Sequence, residues 1–93
     1  MINVALLGFG RIGQMHAQNI HLNRTLNLLY VYEKIDKLRK KAKNLYNCKI
    51  EKDYKKIFSV EKVDIIFISS PTNTHISVIE EGSKHNKTIF CEK

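Results

Sequence analysis

No run of apolar residues in this chain is long enough to cross a bilayer. The longest, residues 28–32 and 65–68, fall far short of the roughly 20 that a spanning helix needs. The N-terminus shows no secretory leader either, because Met1-Ile2-Asn3 leads straight into a short apolar stretch that ends at Gly8. Both absences point to a cytoplasmic protein with no membrane partner. Cysteine is scarce: Cys48 and Cys91 stand alone, in no spacing that suits a metal or a redox pair. Repeats, low-complexity segments and linkers are missing too, so 93 residues make one small domain with one modest core.

Acidic residues are also few. The formal charge is +7, and between Lys34 and Lys62 eleven Lys or Arg residues face four acids. A nucleic-acid binder would pair such a patch with a recognition element. The chain has no zinc spacing, no aromatic RNA-binding signature and no glycine-bearing helix-turn-helix. The basic run therefore reads as a solvated helix face, and no nucleic-acid partner is expected.

What is present is an alternation of short β-branched or aromatic runs with longer stretches of helical period, the pattern of a parallel α/β sheet. Residues 3–7 form a first strand. Arg11–Leu22 is a helix whose apolar positions include Ile12, Met15 and Ile20. Residues 27–33 (NLLYVYE) form a second strand, apolar almost throughout, as expected when both sheet faces are covered. Asp36 is expected to cap a helix running to Tyr46, with Leu38, Ala42, Leu45 and Tyr46 on its stripe. Lys37, Arg39, Lys40, Lys41 and Lys43 occupy its solvated face.

Residues 48–50 suggest a third strand, and Asp53 opens a short helix that buries Ile57 and Phe58. Residues 63–69 (VDIIFIS) are the strongest strand. A helix follows over residues 75–85, with Ile76, Ile79, Gly82 and Ser83 toward the sheet and Asn86 as its left-handed ending. Residues 88–92 are the last strand. Right-handed crossovers then favour a doubly wound sheet of about five strands in the order 3-2-1-4-5. Cys48 and Cys91 fall on opposite edges of that sheet. Four strand spacings separate them by about 19 Å, while a disulfide needs Cα atoms within about 7 Å. Two free thiols are expected.

The most informative stretch is Gly8-Phe9-Gly10-Arg11-Ile12-Gly13, a G-x-G-x-x-G. Alone the pattern is weak. Here it follows a strand, opens a helix, and is joined by an acid, Glu33, at the end of the next strand, 20 positions after Gly13. Gly8 permits the tight turn, Gly10 lets the backbone approach a pyrophosphate, and Gly13 lets the helix pack closely. The free N–H groups and positive end of the helix then hold a diphosphate. Glu33 can accept from both adenosine-ribose hydroxyls and would repel a 2′-phosphate, which favours NAD and makes NADP the poorer fit. Lys34 pulls the other way, since a cation there would tolerate the phosphate.

Four segments together carry a family resemblance: VALLGFGRIGQMHAQNI (residues 4–20), Glu33, VDIIFISSPTNTH (residues 63–75) and IFCEK (residues 89–93). They resemble the N-terminal, Rossmann-type domain of the Gfo/Idh/MocA oxidoreductases, and within them the inositol 2-dehydrogenase-like group. The resemblance covers nearly the whole chain. It implies that Gly8, Phe9, Gly10, Arg11 and Ile12 contact the pyrophosphate and Glu33 the ribose. It also implies that Ser70, Pro71, Thr72, Asn73 and His75 line the diphosphate and nicotinamide-ribose side. That loop leaves the fourth strand where strand order reverses, the place ligands bind in such sheets. Glu92 would orient the nicotinamide half. Lys93 would be both a cofactor contact and the catalytic group, bonding the reacting oxygen and steadying its developing charge.

Plainer roles stand beside these. Pro71 and Asn73 suit a helix start, and His75 suits a solvated first helical turn. His16 follows the family's habit of a histidine after the third glycine, but packing explains it as well; His21 and His85 are expected on the surface.

The family continues past the Glu-Lys pair with proline and a substrate domain, so residues 1–93 are expected to be an incomplete dinucleotide-binding domain. The resemblance implies an NAD-dependent enzyme that oxidises a secondary alcohol of a polyol or sugar. The isolated chain is expected to bind nucleotide without turnover, and its bare fifth strand to invite self-association. A non-catalytic NAD(H)-binding sensor or interaction module is the second reading.

Overall fold

A computed structural model describes residues 1–69, 75–85 and 87–91. Strands β1 (Ile2–Leu7), β2 (Leu26–Tyr32), β3 (Lys49–Glu51), β4 (Ile65–Ile68) and β5 (Thr88–Cys91) alternate with helices α1 (Arg11–Leu22), α2 (Asp36–Tyr46), α3 (Tyr54–Phe58) and α4 (His75–Ser83). All pairings are parallel, and the order is β3-β2-β1-β4-β5, as expected. None of these helices is long and apolar enough to cross a membrane.

The unbroken apolar run of β1 is explained by its central place. Successive side chains point to opposite faces of a strand. Val4 and Leu6 join one core with Ala17 and Ile20 of α1, Ala42 of α2 and Val31 of β2. Ala5 and Leu7 join another with Ile57 and Phe58 of α3, Val78 of α4 and Ile66 and Ile68 of β4. Helices therefore cover the two faces in pairs, α1 with α2 and α3 with α4. That is the doubly wound arrangement, which leaves the C-terminal ends of β1 and β4 side by side.

The helical stripes differ from expectation by a rotation. Gly13, Ala17 and Ile20 are the buried positions of α1, whereas Ile12 and Met15 are about half exposed. The close approach at Gly13 sets the rotation: at 3.6 residues per turn, positions 13, 17 and 20 share a face and 12 and 15 turn away. In α4, Val78 and Gly82 are buried, so Ile79 rotates outward to 45% exposure. Leu45 of α2 is likewise exposed, one step off the stripe of Leu38, Ala42 and Tyr46.

Asp36 is not the cap of α2 but its first helical residue; Ile35 holds the cap position without a side-chain bond. Asp36 instead pairs with Arg39 (3.1 Å) and Lys40 (3.0 Å). Asp53 does cap α3, its carboxylate accepting from the Lys55 N–H at 3.0 Å. Of the expected sheet-facing positions in α4, the side chains of Ile76 and Ser83 lie outside the described residues, as does Asn86.

The two thiols are free. Cys48 is buried beside the β3 edge, and burial pushes its thiol above the usual range; Cys91 is exposed on the β5 edge. An alkylating reagent is expected to label one thiol rapidly in the folded chain and the second only after denaturation. Two equally fast thiols, counted by mass spectrometry, would contradict this packing.

Candidate dinucleotide site at the first β–α turn

The turn between β1 and α1 is built from backbone. Gly8 has φ 108°, a conformation that side chains disfavour, and its N–H donates to the Tyr32 carbonyl at 2.8 Å. A Cβ on Gly13 would collide with the Gly8 carbonyl oxygen and come within 2.9 Å of Ser69 Oγ. The helix thus seats directly on the turn, with no room for a methyl. Gly10 is the opposite case: a Cβ there would meet nothing within 4 Å, because this glycine faces open space.

The start of α1 has no side-chain cap among the described residues. Gly10 holds the cap position and supplies no side-chain bond, and the first turn contains no acid. A helix start normally recruits one or the other to satisfy its free N–H groups. Among the described residues no side chain caps those groups, and Gly10, Arg11 and Ile12 beside them are exposed. That is the geometry and charge a diphosphate requires.

Glu33 follows β2 directly, and the fold brings its carboxylate to the glycine turn. The Phe9 N–H donates to Oε1 at 2.9 Å, and the Ile35 N–H donates to Oε2 at 3.1 Å. Each oxygen keeps a free lone-pair direction, so the carboxylate can still accept from hydroxyls of a ribose. Phe9 itself has a split role. Its ring is fully buried and meets Tyr46 edge-on at 6.4 Å, while its N–H is committed to Glu33.

Three supporting residues were not legible in the motif. Gln14 Nε2 donates to the Phe9 carbonyl at 3.1 Å. Ser69 Oγ donates to the Gly8 carbonyl at 3.0 Å, tying the end of β4 to the turn. Arg39, expected on the solvated face of α2, is folded back: its side chain is only 13% exposed and donates to the Glu33 and Lys34 carbonyls. No sequence spacing marks Gln14 or Arg39. Ser69 could have been found from strand order, since β4 ends beside β1. The rest of the basic stripe, Lys37, Lys40, Lys41 and Lys43, does face outward.

The histidines divide. His16 packs its ring 4.7 Å from Phe67, and His21 is exposed against Tyr46. His85 is not a free surface group; it stacks on Phe58 at 6.0 Å and approaches Glu81 at 3.3 Å. Ser70, Pro71, Thr72, Asn73, Glu92 and Lys93 lie outside the described residues, and so does the side chain of His75.

Hydrogen bonding from Lys40, the attraction of its charge, and Arg39 together hold the Asp36 carboxyl below its ordinary value of 3.8. A depressed carboxylate contributes stability above its unfolded value and loses it as pH falls through the folded one. The first turn of α2 is therefore expected to loosen only below about pH 4. Added salt should raise the Asp36 titration midpoint followed by NMR, because the group is exposed and its ion pairs are screened. A salt-independent midpoint would contradict the pairing.

A doubly wound parallel sheet with an uncapped glycine turn and an acid after β2 defines a dinucleotide-binding domain. Comparison with known proteins narrows the class: residues 2–93 match GFO_IDH_MocA, the oxidoreductase family with an NAD-binding Rossmann fold, and the chain belongs to it. It is 32% identical over 92 residues to inositol 2-dehydrogenase of Rhizobium meliloti, covering 99% of this chain and 28% of that protein. Myo-inositol 2-dehydrogenase of Thermotoga maritima is also 32% identical, with the same coverage of 99% and 28%. Among solved structures, scyllo-inositol dehydrogenase from Lactobacillus casei, with bound NAD(H) and scyllo-inositol, superposes with a TM-score of 0.94 at 26% identity. That match covers all of this chain and 28% of the other. The chain thus spans little more than a quarter of the length of these relatives.

Proposed function

We propose that this chain is the coenzyme-holding part of an NAD-dependent dehydrogenase acting on a secondary alcohol of a cyclic polyol or sugar. The observation that carries the reading is the uncapped start of α1 beside the bare Gly10. The N–H groups of that first turn would hold the pyrophosphate, with Arg11 and Ile12 flanking it, and Glu33 would take the adenosine-ribose hydroxyls. A carboxylate at this point repels a 2′-phosphate, so NAD is preferred over NADP.

When bound, NAD⁺ accepts the hydride removed from the alcohol carbon. Ser70, Pro71, Thr72, Asn73, His75 and Glu92 would line the nicotinamide-ribose side, next to the reversal of strand order between β1 and β4. Lys93 would hydrogen-bond the alcohol oxygen, fix its orientation and stabilise the charge that develops there. The inositol dehydrogenases among the relatives support a polyol substrate. For these 93 residues, which span 28% of the length of those relatives, coenzyme binding is the expected activity.

The test is calorimetric titration of the purified chain with NAD⁺ and NADP⁺. Saturable heat with NAD⁺ and a weaker response to NADP⁺ is expected. No heat with either coenzyme, from a chain shown by circular dichroism to be folded, would remove the proposal.

A further inference from the structure

Resting on that reading, we propose that Arg39 is a positioning residue for coenzyme selection, aiming the Glu33 carboxylate through a single peptide plane. Arg39 lies on the first turn of α2, and one of its terminal nitrogens donates to two successive backbone carbonyls, those of Glu33 (2.6 Å) and Lys34 (2.8 Å). The other terminal nitrogen donates to Asp36 at 3.1 Å. A planar guanidinium can satisfy three acceptors in this fan, whereas an ammonium presents a single point.

The consequence follows from peptide geometry. In a trans peptide the carbonyl and the next N–H lie in one plane and point in opposite directions. Arg39 holds the Lys34 carbonyl toward α2, so the Ile35 N–H of the same plane must point away from it. That N–H donates to Glu33 Oε2 at 3.1 Å, while Oε1 accepts from Phe9 of the glycine turn at 2.9 Å. The carboxylate is therefore held at both oxygens, and one of the two holds depends on which way the Lys34–Ile35 plane is turned. Without Arg39 the plane is free to rotate, Oε2 loses its partner, and the negative charge no longer sits fixed where a 2′-phosphate would arrive.

The experiment compares dissociation constants for NAD⁺ and NADP⁺ in the native chain and in Arg39→Met, Arg39→Gln, Arg39→Lys and Lys37→Met. Lys37 is an exposed cation on the same helix and controls for simple loss of positive charge. Arg39→Met and Arg39→Gln are expected to narrow the preference for NAD⁺ by about tenfold, the effect of one hydrogen bond to a charged group. Arg39→Lys should recover part of that preference, and Lys37→Met should keep all of it. Loss of overall stability alone would weaken both coenzymes equally and leave the ratio unchanged. A native ratio in either neutral Arg39 variant that remains folded would overturn the proposal while leaving the dinucleotide reading intact. Failure of the native chain to bind either coenzyme would instead end both.

Discussion

Gly13→Ala is expected to destabilise the folded chain even though alanine is the better helix former. The gain in helix propensity is about 1 kcal/mol. Against it, the new methyl would overlap the Gly8 carbonyl oxygen and stand 2.8 Å from the carbonyl carbon and 2.9 Å from Ser69 Oγ. These obstacles are mainly backbone, and the backbone belongs to a turn already held at φ 108°. It cannot yield as the end of a flexible side chain would. Overpacking of this kind costs about 1–3 kcal/mol, and Gly13→Val should lie at the top of that range. For a domain of this size each kcal/mol lowers Tm by roughly 4–8 °C.

Gly10→Ala is the informative partner of that experiment. Its Cβ enters open space and its φ of −74° suits any residue, so Tm without ligand should scarcely change. NAD⁺ binding should fall steeply, because the methyl occupies the side from which the diphosphate approaches. Thermal melts with and without NAD⁺ separate the two glycines: one supports the turn, the other leaves room for a ligand. If Gly10→Ala bound NAD⁺ normally, the placement of the pyrophosphate on this turn would be wrong.

Glu33→Gln is expected to produce the largest change in selectivity. The amide keeps nearly the same shape and one acceptor oxygen, but loses the charge that opposes a 2′-phosphate. Hydrogen bonds to a charged group are worth about 1.5–3 kcal/mol, so NAD⁺ affinity should drop roughly ten- to a hundredfold. NADP⁺ affinity should rise, with Lys34 next in sequence to favour a phosphate. Replacing Oε1 or Oε2 by an amide nitrogen also breaks one of the bonds from Phe9 and Ile35. Equal loss for both coenzymes in calorimetry would mean that Glu33 braces the turn without reading the ribose.

The tight turn at Gly8 and the close helix seat at Gly13 show where a linear reading succeeds. Gly8, Gly13 and Glu33 act within one β–α–β unit, where spacing and local geometry are nearly the same information. The reading erred where a side chain's direction depends on a contact distant in sequence. Ile12 and Met15 fit a helical stripe as well as Gly13 and Ala17 do, but only the seat of Gly13 on Gly8 selects the rotation. Arg39 looked like its lysine neighbours because composition does not record that two carbonyls of the preceding loop lie within its reach. Ser69, whose partner is 61 positions away, is reached only through the strand order, which sets the end of β4 beside the turn.

Alternating strand and helix periods, right-handed crossovers and three glycines were enough to specify a doubly wound sheet, its strand order and the tight glycine turn that opens its first helix. Those properties follow from backbone sterics, which each residue carries wherever it stands. Folding in three dimensions alone decided which face of each helix is buried, that Phe9 is core while its N–H serves Glu33, and that one arginine of a basic stripe turns inward. Such choices come from packing and hydrogen bonding between segments whose separation along the chain says nothing about their distance in space.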